Sequence, residues 1–150
     1  MYYGFDPKKN KFKNLGDISP EFVLETIQEA REKLANIEDD MTRINDIELY
    51  DKLQIAISKS EAILQTIQED PKDVRVARKF LSVYIDGVAK VTDSYTSLDE
   101  KDITPEVKAK LHSLMEDVEA RFEKELQRLK QNNEFDLDVH IDVLKEQIKH

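Results

Sequence analysis

Apolar residues recur along most of this chain at alternating three- and four-residue steps. The longest ladder runs from Asp70 to Leu98 and comprises Val74, Ala77, Leu81, Tyr84, Val88, Val91, Tyr95 and Leu98. Beside it Val76, Phe80, Val83 and Gly87 write a second stripe. Two adjoining stripes predict a helix that buries about half its circumference at the centre of a bundle. Phe80, Leu81, Tyr84, Val88, Val91 and Tyr95 are its expected core residues. Gly87 stands inside this helix at a cost of about 1 kcal/mol relative to alanine, which points first to a close helix–helix approach and second to a kink.

Three prolines punctuate the pattern. Ser19-Pro20, Asp70-Pro71 and Thr104-Pro105 each set a capping residue before proline at the first helical position, where its missing N–H is harmless. After Pro20 the ladder Val23, Ile27, Ala30, Leu34, Ile37, Met41, Ile44 keeps heptad spacing and predicts a helix of roughly 25 residues. Asn45 with Glu48 reads as a capping box for a second helix through Leu49, Leu53, Ala56, Ile57, Ile63, Leu64 and Ile67. After Thr104-Pro105 a fourth carries Val107, Leu111, Leu114, Val118, Phe122, Leu126 and Leu129, with its end near Asn132-Asn133.

The final segment carries two patterns at once. Phe135, Leu137, Val139 and Ile141 alternate with Asp136, Asp138, His140 and Asp142, which is the period of a strand. Leu137, Ile141, Leu144 and Ile148 form a helical stripe through the same residues. A short extended lead-in, then a fifth helix from about Asp138, accommodates both. The expected architecture is an all-α antiparallel bundle of about five helices with long coiled-coil-like hairpins. It divides into a basic and aromatic tail over residues 1–18 and one helical domain over residues 19–150.

Composition narrows the chemistry. With 3 Gly and 4 Pro in 150 residues a turn-rich β architecture is excluded. The absence of Cys removes disulfides, thiolate nucleophiles and zinc–cysteine sites together. A net charge of −9 argues against nucleic acid as a partner. Residues 1–18 oppose the trend, with Lys8, Lys9, Lys11 and Lys13 against Asp6 and Asp17 beside Tyr2, Tyr3, Phe5 and Phe12. Such a tail fits an anionic membrane surface, a protein groove or the bundle itself. No apolar run is long enough to span a bilayer, so the expected location is cytoplasmic or peripheral at the inner face of a membrane.

Candidate reactive groups are few. A DxD-type nucleophile belongs at the end of a buried strand, whereas Asp136-Leu137-Asp138 follows the hydrophilic run Lys130–Glu134. No glycine-rich phosphate loop is present. Asp136, Asp138, His140 and Asp142 are the candidate metal ligands, because a strand would place all four on one face. The competing reading makes one of the aspartates a helix cap and leaves the others solvated. His112 has no catalytic partner nearby in sequence and reads as a boundary histidine. Neither a catalytic residue nor a cofactor is expected.

Pro71, Ala77–Leu81, Tyr84-Ile85, Val91 and Tyr95–Leu98, with Phe122–Lys124, Leu126, Leu129, Leu137–Val139, Ile141 and Val143-Leu144, resemble the 5-bromo-4-chloroindolyl phosphate hydrolysis protein family, also called XpaC-like. The resemblance implies a helical domain, often tethered by N-terminal membrane helices, and association with the toxic-anion (tellurite) resistance protein family. It transfers no catalytic residue. The expected function is that of a non-enzymatic helical interaction protein in a toxic-anion resistance or envelope-stress system. The alternatives are a phosphoester hydrolase, as the family name says, and a peripheral membrane coiled coil. The expected partner is a helical protein, such as a toxic-anion resistance protein, or a second copy of this chain. Val23, Ile27, Leu34 and Ile37, on the most regular heptads, are the expected interaction residues.

Overall fold

The proline signals set most of the helix starts. Ser19 caps α1 (Pro20–Met41) by accepting the Phe22 N–H at 3.1 Å, and the Thr104 hydroxyl accepts the Val107 N–H at 3.3 Å at the start of α4 (Pro105–Lys149). Pro71 opens a 3₁₀ turn over Pro71–Asp73 and hands over to α3 (Val74–Thr96). The cap of α2 (Ile47–Glu69) is Asp46 rather than Asn45, and its carboxylate accepts the Leu49 N–H at 3.1 Å. A second 3₁₀ turn, Glu100–Asp102, joins α3 to α4. The computed structural model describes residues 19–149, and no strand occurs among them.

Four helices, not five, make this part of the chain. The expected extended lead-in and fifth helix are a direct continuation of α4, which runs for 45 residues, about 68 Å. The other three have 22 or 23 residues, about 34 Å each. Nothing in Lys130–Asp142 breaks a helix, for it holds neither Gly nor Pro. The two asparagines expected to end the helix are tolerated inside it at a few tenths of a kcal/mol each, about what propensity scales assign.

Consecutive helices run antiparallel, yet the closest packing skips one. Along α1 and α3 the partners rise in step: Arg78 lies over the Phe22 ring at 4.9 Å and 3.5 Å from Glu29, and Lys33 pairs with Asp86. The same holds for α2 and α4, where Asp46 meets His112, Lys52 meets Glu116 and Lys59 meets Glu123. Both close pairs are therefore parallel, and the expected coiled-coil-like hairpins give way to interleaved pairs. Arg31 and Glu61, 3.6 Å apart, join the antiparallel α1 and α2. α3 meets α4 through an aromatic cluster, with Phe80, Tyr84 and Phe122 ring centroids 4.5 to 5.8 Å apart.

All four helices contribute to the centre. Leu34 and Ile37, Ala56, Ile57 and Ser60, Ile85 and Val88, and Phe122 surround a residual void of only about 10 Å³, too small to hold more than one water. Thr26, Ser60 and Thr92 are buried without loss, since each hydroxyl donates to the carbonyl four residues back. α3 is less central than its two stripes imply. Leu81, Val88 and Tyr95 are buried and Phe80, Tyr84 and Val91 half-buried, but Val76 and Val83 are exposed. A Cβ built on Gly87 would meet no atom within 4 Å, so the expected close approach is absent there and α3 passes through unbroken.

Candidate functional site

Beyond Leu129, the last buried residue of α4, the helix leaves its neighbours behind. From Glu134 to Lys149 every residue but the half-buried Asp136 is exposed. The bundle gives this segment no core to face, yet it carries Phe135, Leu137, Val139, Ile141, Val143, Leu144 and Ile148, each 40% exposed or more. At 100° per residue the alternating pattern splits into two opposite stripes. Leu137, Ile141, Leu144 and Ile148 follow a 4-3-4 spacing on one side, while Phe135, Val139 and Val143 lie on the other. Five carboxylates and two lysines occupy the flanks over residues 134–149. A hollow along this helix is lined by Glu134, Phe135, Leu137, Asp138 and Ile141, an acidic and apolar mixture.

The helical state also redistributes the candidate metal ligands. Asp136 and His140 share one side, and Asp138 and Asp142 another, rather than the single face a strand would make. Asp136 pairs with Lys72, which also donates to the Asn132 carbonyl and fastens the root of the extension to the α2–α3 turn. Among the described residues no group of three His, Asp or Glu is placed to hold a metal ion.

His112 has a partner that sequence proximity could not reveal. Its Nε2 lies 2.9 Å from Oδ2 of Asp46, 66 residues away, and its Nδ1 lies 3.6 Å from Glu48. Burial acts to raise the Asp46 pKa, but the Leu49 N–H and His112 outweigh it and hold the carboxyl below its ordinary 3.8. Nearby, Glu100 accepts from the Tyr95 hydroxyl at 2.6 Å and from the Asn45 N–H at 2.9 Å. Burial opposes ionisation there too, and these donors again prevail, so Glu100 sits below 4.5. Tyr95 is pushed well up by burial and by Glu100. This cluster fastens the α1–α2 turn to the α3–α4 turn. The buried Nδ1 of His112 makes no hydrogen bond, and the side-chain partner of the pair among the described residues is the Glu48 carboxylate rather than a hydroxyl.

A third feature is a hollow of about 430 Å³ lined by Phe80, Arg121, Lys124, Glu125, Gln127, Arg128 and Gln131. Two of its cations are engaged. Arg128 grips the buried Glu125 through two hydrogen bonds of 3.0 and 2.7 Å, and Arg121 donates to the Tyr84 hydroxyl at 3.1 Å. The hollow can attract an anion, and its lining holds no Ser, Thr or Cys, while its one carboxylate, Glu125, is tied up by Arg128.

The expected interaction residues Val23, Ile27, Leu34 and Ile37 lie inside the protein's own core, between 1% and 6% exposed. α3 and the rest of the core consume that stripe. An apolar stripe that is left open lies on the α4 extension, where the sequence displayed it as an alternative to a strand. The basic and aromatic tail lies outside the described residues. No described helix is long and apolar enough to cross a membrane.

These features define an all-helical bundle with a projecting amphipathic helix. The family model for the 5-bromo-4-chloroindolyl phosphate hydrolysis protein matches residues 1–144, and the chain belongs to that family. No curated protein and no solved structure matches the chain.

Proposed function

We propose that this chain is a non-enzymatic interaction protein that works by helix-against-helix association through the free end of α4. One observation carries the reading: Leu137, Ile141, Leu144 and Ile148 stand exposed in one stripe on a helix that the bundle does not cover. Soluble chains seldom keep such a contiguous surface without a use for it. The context that fits is the toxic-anion resistance or envelope-stress role implied by the resemblance, with a helical protein as partner. Lysines 8, 9, 11 and 13 would add attraction to an acidic surface such as the inner leaflet.

The family name favours a second reading, hydrolysis of a phosphate ester. The hollow beside Arg121, Lys124 and Arg128 is the place where such an ester would be held. Against turnover stands the lining of that hollow, which has no Ser, Thr or Cys and whose one carboxylate, Glu125, is held by two hydrogen bonds from Arg128. The two readings separate in one pair of measurements on the purified full chain. The interaction reading expects no saturable hydrolysis of an aryl phosphate, with or without magnesium, manganese or zinc. It also expects that Ile141→Lys removes binding to a purified helical partner while the far-ultraviolet circular dichroism is unchanged. Hydrolysis that co-elutes with the protein and vanishes in Arg128→Ala establishes the enzyme instead.

A further inference from the structure

We propose that the α4 extension forms an antiparallel junction with the same segment of a second copy. The inference rests on the interaction reading and names its partner. Leu137, Ile141, Leu144 and Ile148 occupy alternating core positions of a heptad, and a 3.5-residue repeat keeps only such a stripe along a partner helix through a left-handed crossing. The opposite stripe, Phe135, Val139 and Val143, steps by four each time and winds away from any straight seam.

Charge selects the direction. In an antiparallel pair Leu137 of one copy faces Ile148 of the other and Ile141 faces Leu144, so the seam closes on itself under twofold symmetry. The same register sets Asp138 opposite Lys145 at both ends, an opposite-charge contact made twice. A parallel pair sets Asp138 against Asn133 and Lys145 against His140, with no opposite-charge contact. It also holds the bodies of two chains, each chain of net charge −9, side by side, whereas the antiparallel pair sends the bodies to opposite ends. The exposed stripe is short, about two heptads, so the expected dimer is weak, in the micromolar range or above.

The test is sedimentation equilibrium of the full chain as a function of concentration, with two charge variants. Asp138→Lys alone confronts lysine with lysine, and Lys145→Asp alone confronts aspartate with aspartate. Each is expected to weaken self-association by about tenfold or more. An equimolar mixture of the two variants is expected to recover it, because each copy then supplies what the other lacks. Val139→Lys, on the opposite face, is expected to leave association as in the unmodified chain. Circular dichroism checks that the bundle survives each change. An unmodified chain that stays monomeric up to about 1 mM overturns the proposal. So does association that survives Ile141→Lys, or a mixture that fails to recover. If a purified helical partner still binds the stripe of a chain that never self-associates, the second copy falls and the interaction reading stands. If neither binds, both fall.

Discussion

The two halves of α4 share a helix and differ in everything that surrounds it. From Pro105 to Leu129 apolar residues meet α2 and α3, and Met115, Val118, Phe122, Leu126 and Leu129 are buried. From Glu134 to Lys149 apolar residues are at least as frequent, yet they face open surroundings. Hydrophobic spacing alone does not distinguish the halves. The difference lies in where the neighbours stop: α2 ends at Glu69 and α3 begins at Val74, so the body of the bundle ends level with Asn132, which meets Asp73 and Lys72.

That contrast is open to direct attack. The largest effect is expected in the bundle half, where Phe122→Ala should cost about 3–5 kcal/mol in chemical denaturation, since its ring completes the aromatic cluster with Phe80 and Tyr84. Leu144→Ala in the free half should change stability by no more than about 0.5 kcal/mol. Equal effects would show that the extension is folded against the body.

Next in size is the cap at the far end. Asp46→Ala removes both the α2 cap and the acceptor for His112, with an expected loss of about 1–2 kcal/mol. Asp138→Ala in the extension should cost nothing measurable by the same method.

Acid provides a graded version of the same comparison. The folded pKa values of Asp46 and Glu100 lie below 3.8 and 4.5. Their contribution to stability is thus complete above those ordinary values and is lost as the pH falls through the lowered ones. The melting temperature should hold down to about pH 4.5 and then fall. The decline should be shallower in Asp46→Asn.

The smallest effect is a gain. Gly87→Ala should stabilise the protein by up to about 1 kcal/mol, because the added methyl meets open space in a regular helix.

Much of this fold could be read from residue spacing. The capped proline starts of α1 and α4, the buried ladders of α1 and α2 and the all-helical class follow from short-range rules that need only a few consecutive residues, whereas the Asp70 side chain caps nothing and Pro71 opens a 3₁₀ turn. The pairing of helices does not, since Asp46 and His112 or Lys59 and Glu123 are brought together across more than 60 residues. Val76 and Val83 show the limit from the other side. Their spacing is that of a core stripe, but which side of an amphipathic helix is covered depends on neighbours the local pattern does not name. The period-two run at 135–142 was ambiguous because a helix with apolar residues on two opposite faces alternates just as a strand does. The uncovered apolar stripe of α4 was therefore present in the sequence, while the regular heptads of α1 pointed to a face that the core consumes.

The interleaving of parallel pairs has a consequence for how the chain acquires its structure. A hairpin bundle can be assembled in order of synthesis, each helix settling on the one before. Here the closest partner of α1 is α3 and that of α2 is α4, so the apolar face of α2 has no close match until residues beyond Pro105 exist. Closing loops of this span costs entropy before any contact repays it, which raises the contact order of an otherwise fast helical architecture. A chain halted after Leu98 should hold helices without fixed packing, bind a hydrophobic dye and melt without a cooperative step. Formation of the native body then becomes a single late event, set by the arrival of α4.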